Sequence, residues 1–184
     1  MRPVAGAQAG VPKVILRILI MGVTVCGFSL RAWPSTPPTT VIIIRHAERT
    51  SFFDTDAPLS SKGRHRAAGL AFLLEKFEPK TLVASNLVRT QQTLLPLSER
   101  IHKPLVIWDY RESQGLADHL KSHHKGEHIV VCWHHDHMVE LARALGVPGT
   151  IPDWSMFTFN KIWIVTMDSS GRTDFQEQVQ WAKP

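Results

Sequence analysis

The sequence predicts one α/β domain: a three-layer α/β/α sandwich with a mostly parallel sheet. Two observations carry this prediction. Short apolar, β-branched runs alternate with longer segments of helical periodicity, which is typical of repeated strand-helix units. The 184 residues, 43% of them hydrophobic, suffice for one substantial core but are few for two independent domains.

The first strand is predicted at residues 41–44, where four consecutive β-branched residues are too few for a helix. Because this run is apolar on both faces, it indicates a central strand of a parallel sheet. Later strands are predicted at residues 81–84, 105–108 and 128–132. A closing hairpin is predicted from residues 161–167 and 174–179, joined by the turn 168–171.

Four helices are predicted between these strands. Ser60 opens the first one, and polar or breaking residues mark the ends of the others. The predicted helices span residues 60–77, 87–100, 113–121 and 138–145. Pro96 is expected to distort the second helix, because proline lacks an N–H donor.

The N-terminal region differs from the rest of the chain. Four basic residues and no acidic residue precede Trp33, and residues 18–30 form a short apolar run. This pattern predicts a signal peptide or signal anchor at residues 1–32. A proline-rich linker, residues 33–40, and a catalytic domain, residues 41–184, are expected to follow. The protein is therefore expected to be exported, periplasmic or extracellular, or anchored in the membrane by its N-terminus, rather than cytoplasmic.

The charge balance argues against a nucleic-acid-binding protein, and the cysteine content argues against a disulfide-stabilised one. The formal charge is +5, but without the four basic residues before Trp33 only 17 basic and 16 acidic residues remain. That balance does not predict nucleic-acid binding. Cys26 and Cys132 are the only cysteines, and Cys26 falls in the predicted signal, so no disulfide framework is expected.

Basic and acidic side chains follow three of the predicted strands. In an open α/β sheet, ligands bind at the carboxyl ends of the strands, so these side chains are expected to share one edge. Arginine binds phosphate oxygens through paired N–H donors, and a neutral imidazole nitrogen can attack phosphorus. The pattern predicts a phosphate-handling pocket that draws on Arg45, His46, Glu48, Arg49, Arg89, His134, His135, Asp136 and His137.

Four ordered segments resemble the histidine phosphatase superfamily, the phosphoglycerate mutase-like group. VIIIRHAER matches the family's signature around its phosphorylated histidine, and LSSKGRHRAAGL is similar to the loop and first helix. VASNLVRTQQT is similar to the segment of the second phosphate-binding arginine. IVVCWHHDHMVELARALG is similar to the segment of the second catalytic histidine. The resemblance covers nearly all of residues 41–167.

The resemblance implies roles for particular residues. His46 would be the nucleophile, and Arg45 and Arg89 would bind the phosphoryl oxygens. The second histidine would be His135, from a subgroup with a Trp-x-His pattern, or else His134. Glu48 is a candidate for substrate binding. The general acid would be one of three carboxylates: Glu48, Glu112 or Asp136.

The expected function is a phosphatase that needs no metal or cofactor and works through a phosphohistidine on His46. Its substrate would be a phosphomonoester or phosphohistidine, carried by a small molecule, a glycan or a phosphoprotein. The N-terminal segment also predicts association with a membrane. The alternatives are a phosphoryl mutase of the same superfamily, a non-catalytic domain that binds phosphorylated ligands, and a metal-binding module built on the histidine-rich segment 123–137.

Overall fold

Strand β1 is the buried centre of the fold. The computed structural model describes residues 36–179, and β1 spans Thr39–Arg45. It begins two residues before the predicted start, because Thr39 and Thr40 already pair with the neighbouring strands. Residues 41–44 are at most 1% exposed, as expected for a run that is apolar on both faces.

Within residues 36–179, six strands form one mixed sheet in the order β3-β2-β4-β1-β5-β6. Strands β1 to β4 are mutually parallel where they pair, whereas β5 and β6 are antiparallel to their neighbours. The later strands are β2 (Thr81–Ser85), β3 (Leu105–Trp108), β4 (His128–Trp133), β5 (Lys161–Met167) and β6 (Thr173–Val179). Each strand lies within two residues of its predicted bounds.

The helices of the described chain cover both faces of the sheet. They are α1 (Ser61–Glu75), α2 (Val88–Ile101), α3 (Ser113–His123) and α4 (Met138–Ala144). Helices α1 and α2 pack on one face, where Leu74 and Leu94 meet Ile42. Helices α3 and α4 pack on the other face, where Leu116 and Leu141 meet the remaining core. The predicted three-layer α/β/α sandwich with a mostly parallel sheet is confirmed.

The predicted signal segment lies outside the described residues, as do residues 33–35 of the predicted linker. All described residues belong to one compact unit, Trp33–Pro184. In this part of the chain, none of the helices has the length and apolar character needed to cross a membrane.

Gly63 allows the first turn of α1 to approach the backbone that follows β1. The Ser60 hydroxyl caps α1 by accepting a hydrogen bond from the Gly63 N–H at 3.1 Å, and the Ser60 N–H donates to the Glu48 carbonyl at 2.9 Å. A β-carbon at position 63 would collide with that same carbonyl oxygen. The start of α1 is thereby held against Glu48, which lies two residues after His46 in the chain.

Gly63→Ala is expected to destabilise the protein by about 2 kcal/mol, because the added methyl group forces the backbone after β1 to move. Gly69, in the same helix, provides the matched control, since a β-carbon there meets nothing within 4 Å. Gly69→Ala is expected to stabilise by about 0.5–1 kcal/mol. Urea unfolding measures both changes, and equal effects of the two substitutions would contradict this account.

Candidate active site

The carboxyl ends of β1, β2 and β4 meet at one edge of the sheet. Arg45 is paired in register with Trp133, and the His46 N–H donates to the Trp133 carbonyl at 3.2 Å. This pairing brings the residue after β1 beside His134, the residue after β4. Arg89 enters from the first turn of α2, which follows β2.

A cavity of about 520 Å³ lies at this edge and is called here the arginine pocket. Four arginines, three histidines and one carboxylate are among its lining residues. They are Arg45, Arg49, Arg89, Arg111, His46, His134, His135 and Asp136. Of the charged and histidine residues predicted for the site, Glu48, Glu112 and His137 do not line this pocket.

His46 is buried, and its imidazole ring is neutral. Its Nδ1 lies 2.8 Å from the Ala47 carbonyl oxygen, which can only accept, so Nδ1 carries the proton and Nε2 keeps a free lone pair. The Ala47 N–H is held in turn by the Thr93 hydroxyl at 2.9 Å. Burial lowers the pKa of His46 to about 2, and Arg45 and Arg89 add to this effect. The ring is therefore unprotonated at neutral pH.

Three of the four arginines in the pocket have buried N–H donors. Arg45 and Arg89 donate only to backbone carbonyls and to the His134 ring, with Arg89 reaching the Thr55 carbonyl at 2.7 Å. Within the described chain, the Nε atoms of Arg45, Arg49 and Arg89 are buried and have no hydrogen-bond partner. Burial, together with the nearby charges of Arg49 and Arg89, lowers the pKa of Arg45 to about 10, and the group stays cationic at neutral pH.

Buried N–H donors without acceptors are costly, and clustered cations repel one another. An oxyanion in the pocket would relieve both costs, because its oxygens accept from several guanidinium groups at once. The arrangement is therefore that of an anion site beside a neutral imidazole.

His134 and His135 occupy different environments, although both line the pocket. The His134 ring is buried, and its centroid lies 5.6 Å from that of His46. Its Nε2 is 2.8 Å from the Ser85 hydroxyl, and its Nδ1 accepts from Arg89 at 3.2 Å. Burial, together with the charge of Arg89, lowers the pKa of His134 to about 3.

The His135 side chain is 30% exposed and lies 3.9 Å from Asp136. The structure therefore brings His134 against His46, whereas the sequence favours His135.

The three candidate carboxylates are separated by the fold. Glu48 forms a bidentate pair with Arg66, at 2.7 and 2.8 Å, and does not line the pocket. Burial would raise the pKa of Glu48, but the hydrogen bonds from Arg66 lower it. Glu112 is exposed beside the start of α3 and also lies outside the pocket lining. Asp136 alone of the three lines the pocket.

Arg49 and Tyr110 both line the pocket, although the resemblance assigns neither of them a catalytic role. Arg49 lies three residues after His46 in the RHAER segment, so its spacing from the motif is a usable signal. Tyr110 stacks edge-on against His134, with ring centroids 5.3 Å apart. No local pattern marks Tyr110, because its position depends on packing between residues distant in sequence.

The histidine-rich segment 123–137 is divided between two places. His124 pairs with Glu127 at 2.9 Å, whereas His134 and His135 line the arginine pocket. In residues 36–179, no group of three or more histidine, cysteine, aspartate or glutamate side chains is arranged to hold a metal ion.

Comparisons with known proteins agree with this geometry. Residues 41–113 match the family model of the histidine phosphatase superfamily, branch 1. No curated protein matches the chain in sequence.

Solved structures with the same fold include the protein histidine phosphatase SixA complexed with tungstate, at 21% identity and a TM-score of 0.58. That match covers 76% of this chain and 96% of SixA. The mycobacterial glucosyl-3-phosphoglycerate phosphatase complexed with VO3 matches at 16% identity and a TM-score of 0.61, over 78% of this chain and 99% of that one. Residues 41–113 are therefore similar to the histidine phosphatase superfamily, branch 1, and the chain has the same fold as these two phosphatases.

Proposed function

We propose that the protein is a phosphatase that hydrolyses a phosphomonoester or phosphohistidine through a phosphohistidine intermediate on His46. One observation carries the proposal: a buried neutral imidazole, its Nδ1 proton held by Ala47, lies among arginines whose buried Nε donors have no acceptor in the described chain. Such a site supplies a nucleophile and a preorganised positive field, so its chemistry does not require a metal ion.

In the first step, Nε2 of His46 attacks phosphorus in line with the leaving oxygen. The N–P bond forms as the P–O bond to the leaving group breaks. Arg45, Arg49 and Arg89 would bind the equatorial oxygens, where charge accumulates in the transition state. The bond from Nδ1 to the Ala47 carbonyl stabilises the positive charge that develops on the ring.

Asp136 is the proposed general acid and base, because Glu48 is engaged by Arg66 and Glu112 lies outside the pocket lining. It would donate a proton to the departing oxygen in the first step. In the second step it would take a proton from water as that water attacks phosphorus. The N–P bond then breaks, phosphate is released and His46 regains its lone pair.

His134 is the proposed second histidine of the site. Its contacts with Ser85 and Arg89 fix its ring beside His46, so it can orient the arginine and bound phosphoryl group. His135, being partly exposed, is assigned to the mouth of the pocket.

The related folds support a phosphorylated substrate. SixA with tungstate and the mycobacterial phosphatase with VO3 are complexes with oxyanions that resemble phosphate. The two proteins are named for different substrates, a phosphohistidine and a glucosyl-3-phosphoglycerate. The shared fold therefore supports phosphoryl hydrolysis as the reaction. We expect residues at the rim of the pocket to determine which substrate is hydrolysed.

His134→Ala is expected to lower kcat by about 100-fold or more, because the ring that holds Arg89 beside His46 is lost. His135→Ala is expected to lower it by less than about tenfold. His137→Ala is the control, since His137 belongs to the same segment but does not line the pocket. Steady-state kinetics on a phenyl phosphate, with thermal unfolding to check folding, measures all three. A larger loss for His135→Ala would restore His135 as the second histidine.

The proposed reaction is tested by hydrolysis of p-nitrophenyl phosphate. The protein is expected to retain activity in excess chelator, and His46→Ala is expected to reduce the activity by about 1000-fold or more. Arg172→Ala serves as the control for loss of a surface charge, because Arg172 lies in the turn between β5 and β6. Activity that disappears in chelator, or that survives in His46→Ala, would overturn the proposal.

A further inference from the structure

Two loops at the arginine pocket present apolar side chains to solvent. The Phe52 loop, residues 50–58, joins β1 to α1, and the Phe157 loop, residues 152–160, precedes β5. Phe53 is 100% exposed and Phe157 is 74% exposed, while Phe52 and Met156 are also exposed. Exposed loops are usually rich in small polar residues, so these aromatic tips call for a physical explanation.

Both tips are formed by hydrogen-bonded turns. The Ser51 hydroxyl accepts from the backbone N–H groups of Phe53 and Asp54, at 3.1 and 3.3 Å. In the Phe157 loop, the Thr158 N–H donates to the Ser155 carbonyl at 3.0 Å. The turns therefore hold the aromatic residues at the corners, where burial against the protein's own core is not available to them.

The arginines of the pocket hold these same loops. Arg49 donates to the Phe52 carbonyl at 3.3 Å, and Arg89 donates to the Thr55 carbonyl at 2.7 Å. Arg45 donates to the carbonyls of Ser155 and Thr158, at 3.1 and 3.2 Å. Each loop is thus attached directly to a guanidinium group that would bind the phosphoryl group.

Aromatic rings in both loops also contact the arginines beside His46. Phe159 lies under the Arg45 guanidinium, 4.2 Å from ring centroid to carbon, and its centroid is 6.1 Å from that of His46. Phe52 lines the pocket itself and faces Arg49. Phe52 in the first loop and Phe159 in the second therefore place aromatic surface directly beside the guanidinium groups of Arg49 and Arg45.

We propose that the two loops select the leaving group, and that the substrate is a small amphiphilic phosphomonoester whose apolar portion packs against Phe53 and Phe157. This inference rests on the proposed phosphatase function. With phosphorus at His46 Nε2, the three arginines engage the phosphoryl oxygens, and the leaving group must pass out of the pocket along its rim. Contact there would remove apolar surface of both partners from water.

Alkyl phosphates of increasing length provide the test, because ethyl, butyl and hexyl phosphate share the same charge and nearly the same leaving-group chemistry. Wild-type kcat/KM is expected to rise with chain length, by at most about fourfold for each methylene group that is fully buried. The double variant Phe53→Ala/Phe157→Ala is expected to flatten this rise while hydrolysing ethyl phosphate at the wild-type rate.

Phe72→Ala is the matched control. Phe72 is an exposed phenylalanine on α1 that lies under Arg100 rather than at the pocket, so its loss is expected to leave the chain-length dependence unchanged. Equal wild-type kcat/KM for all three esters would overturn the proposal. An equal loss for all esters in the double variant, or an equal flattening in Phe72→Ala, would also overturn it. Absence of hydrolysis of any ester would instead identify failure of the phosphatase function on which the proposal rests.

Discussion

The pairing of β1 with β4 is the constraint on which the site depends. β1 is apolar on both faces, so it is stable only with a helical layer on each side and a strand along each edge. Its register with β4 aligns Arg45 with Trp133 and sets His46 beside His134. A slip of one residue would turn every side chain of the strand to the opposite face. The position of His46, the proposed nucleophile, is thus set by the hydrophobic core rather than by contacts within the pocket.

The electrostatic surroundings of His46 then determine its protonation state and its reactivity. Burial keeps His46 and His134 neutral, while Arg45, Arg49 and Arg89 remain charged and close together. In the proposed reaction, the neutral imidazole would attack an anionic substrate that the surrounding arginines already bind. The uncompensated charge costs folding free energy, and binding of the proposed substrate would offset part of that cost. The same arginines hold the two rim loops, which links phosphoryl binding to the surfaces that would contact the leaving group.

Much of the fold was predictable because its signals are local. β-branched runs mark β1 and β4, Ser60 marks the start of α1, and the alternation of strand and helix fixes the three layers. His46, Arg45 and Arg89 follow from their places after strands. Which of two adjacent histidines turns inward is not local, because Ser85 and Arg89 come from other elements to hold His134. The pairing of Glu48 with Arg66 could not be predicted from the sequence either, because it requires α1 to pack beside the loop after β1.

The proposed reaction depends most on the identity of the nucleophile. Rapid quenching of the reaction with a radiolabelled phosphomonoester, followed by peptide mapping at neutral to alkaline pH, locates any covalently bound phosphate. We predict a transient, acid-labile phosphoenzyme with the phosphoryl group on Nε2 of His46. Phosphate on His134, His135 or any other residue, or turnover with no phosphoenzyme at any time point, would contradict the account.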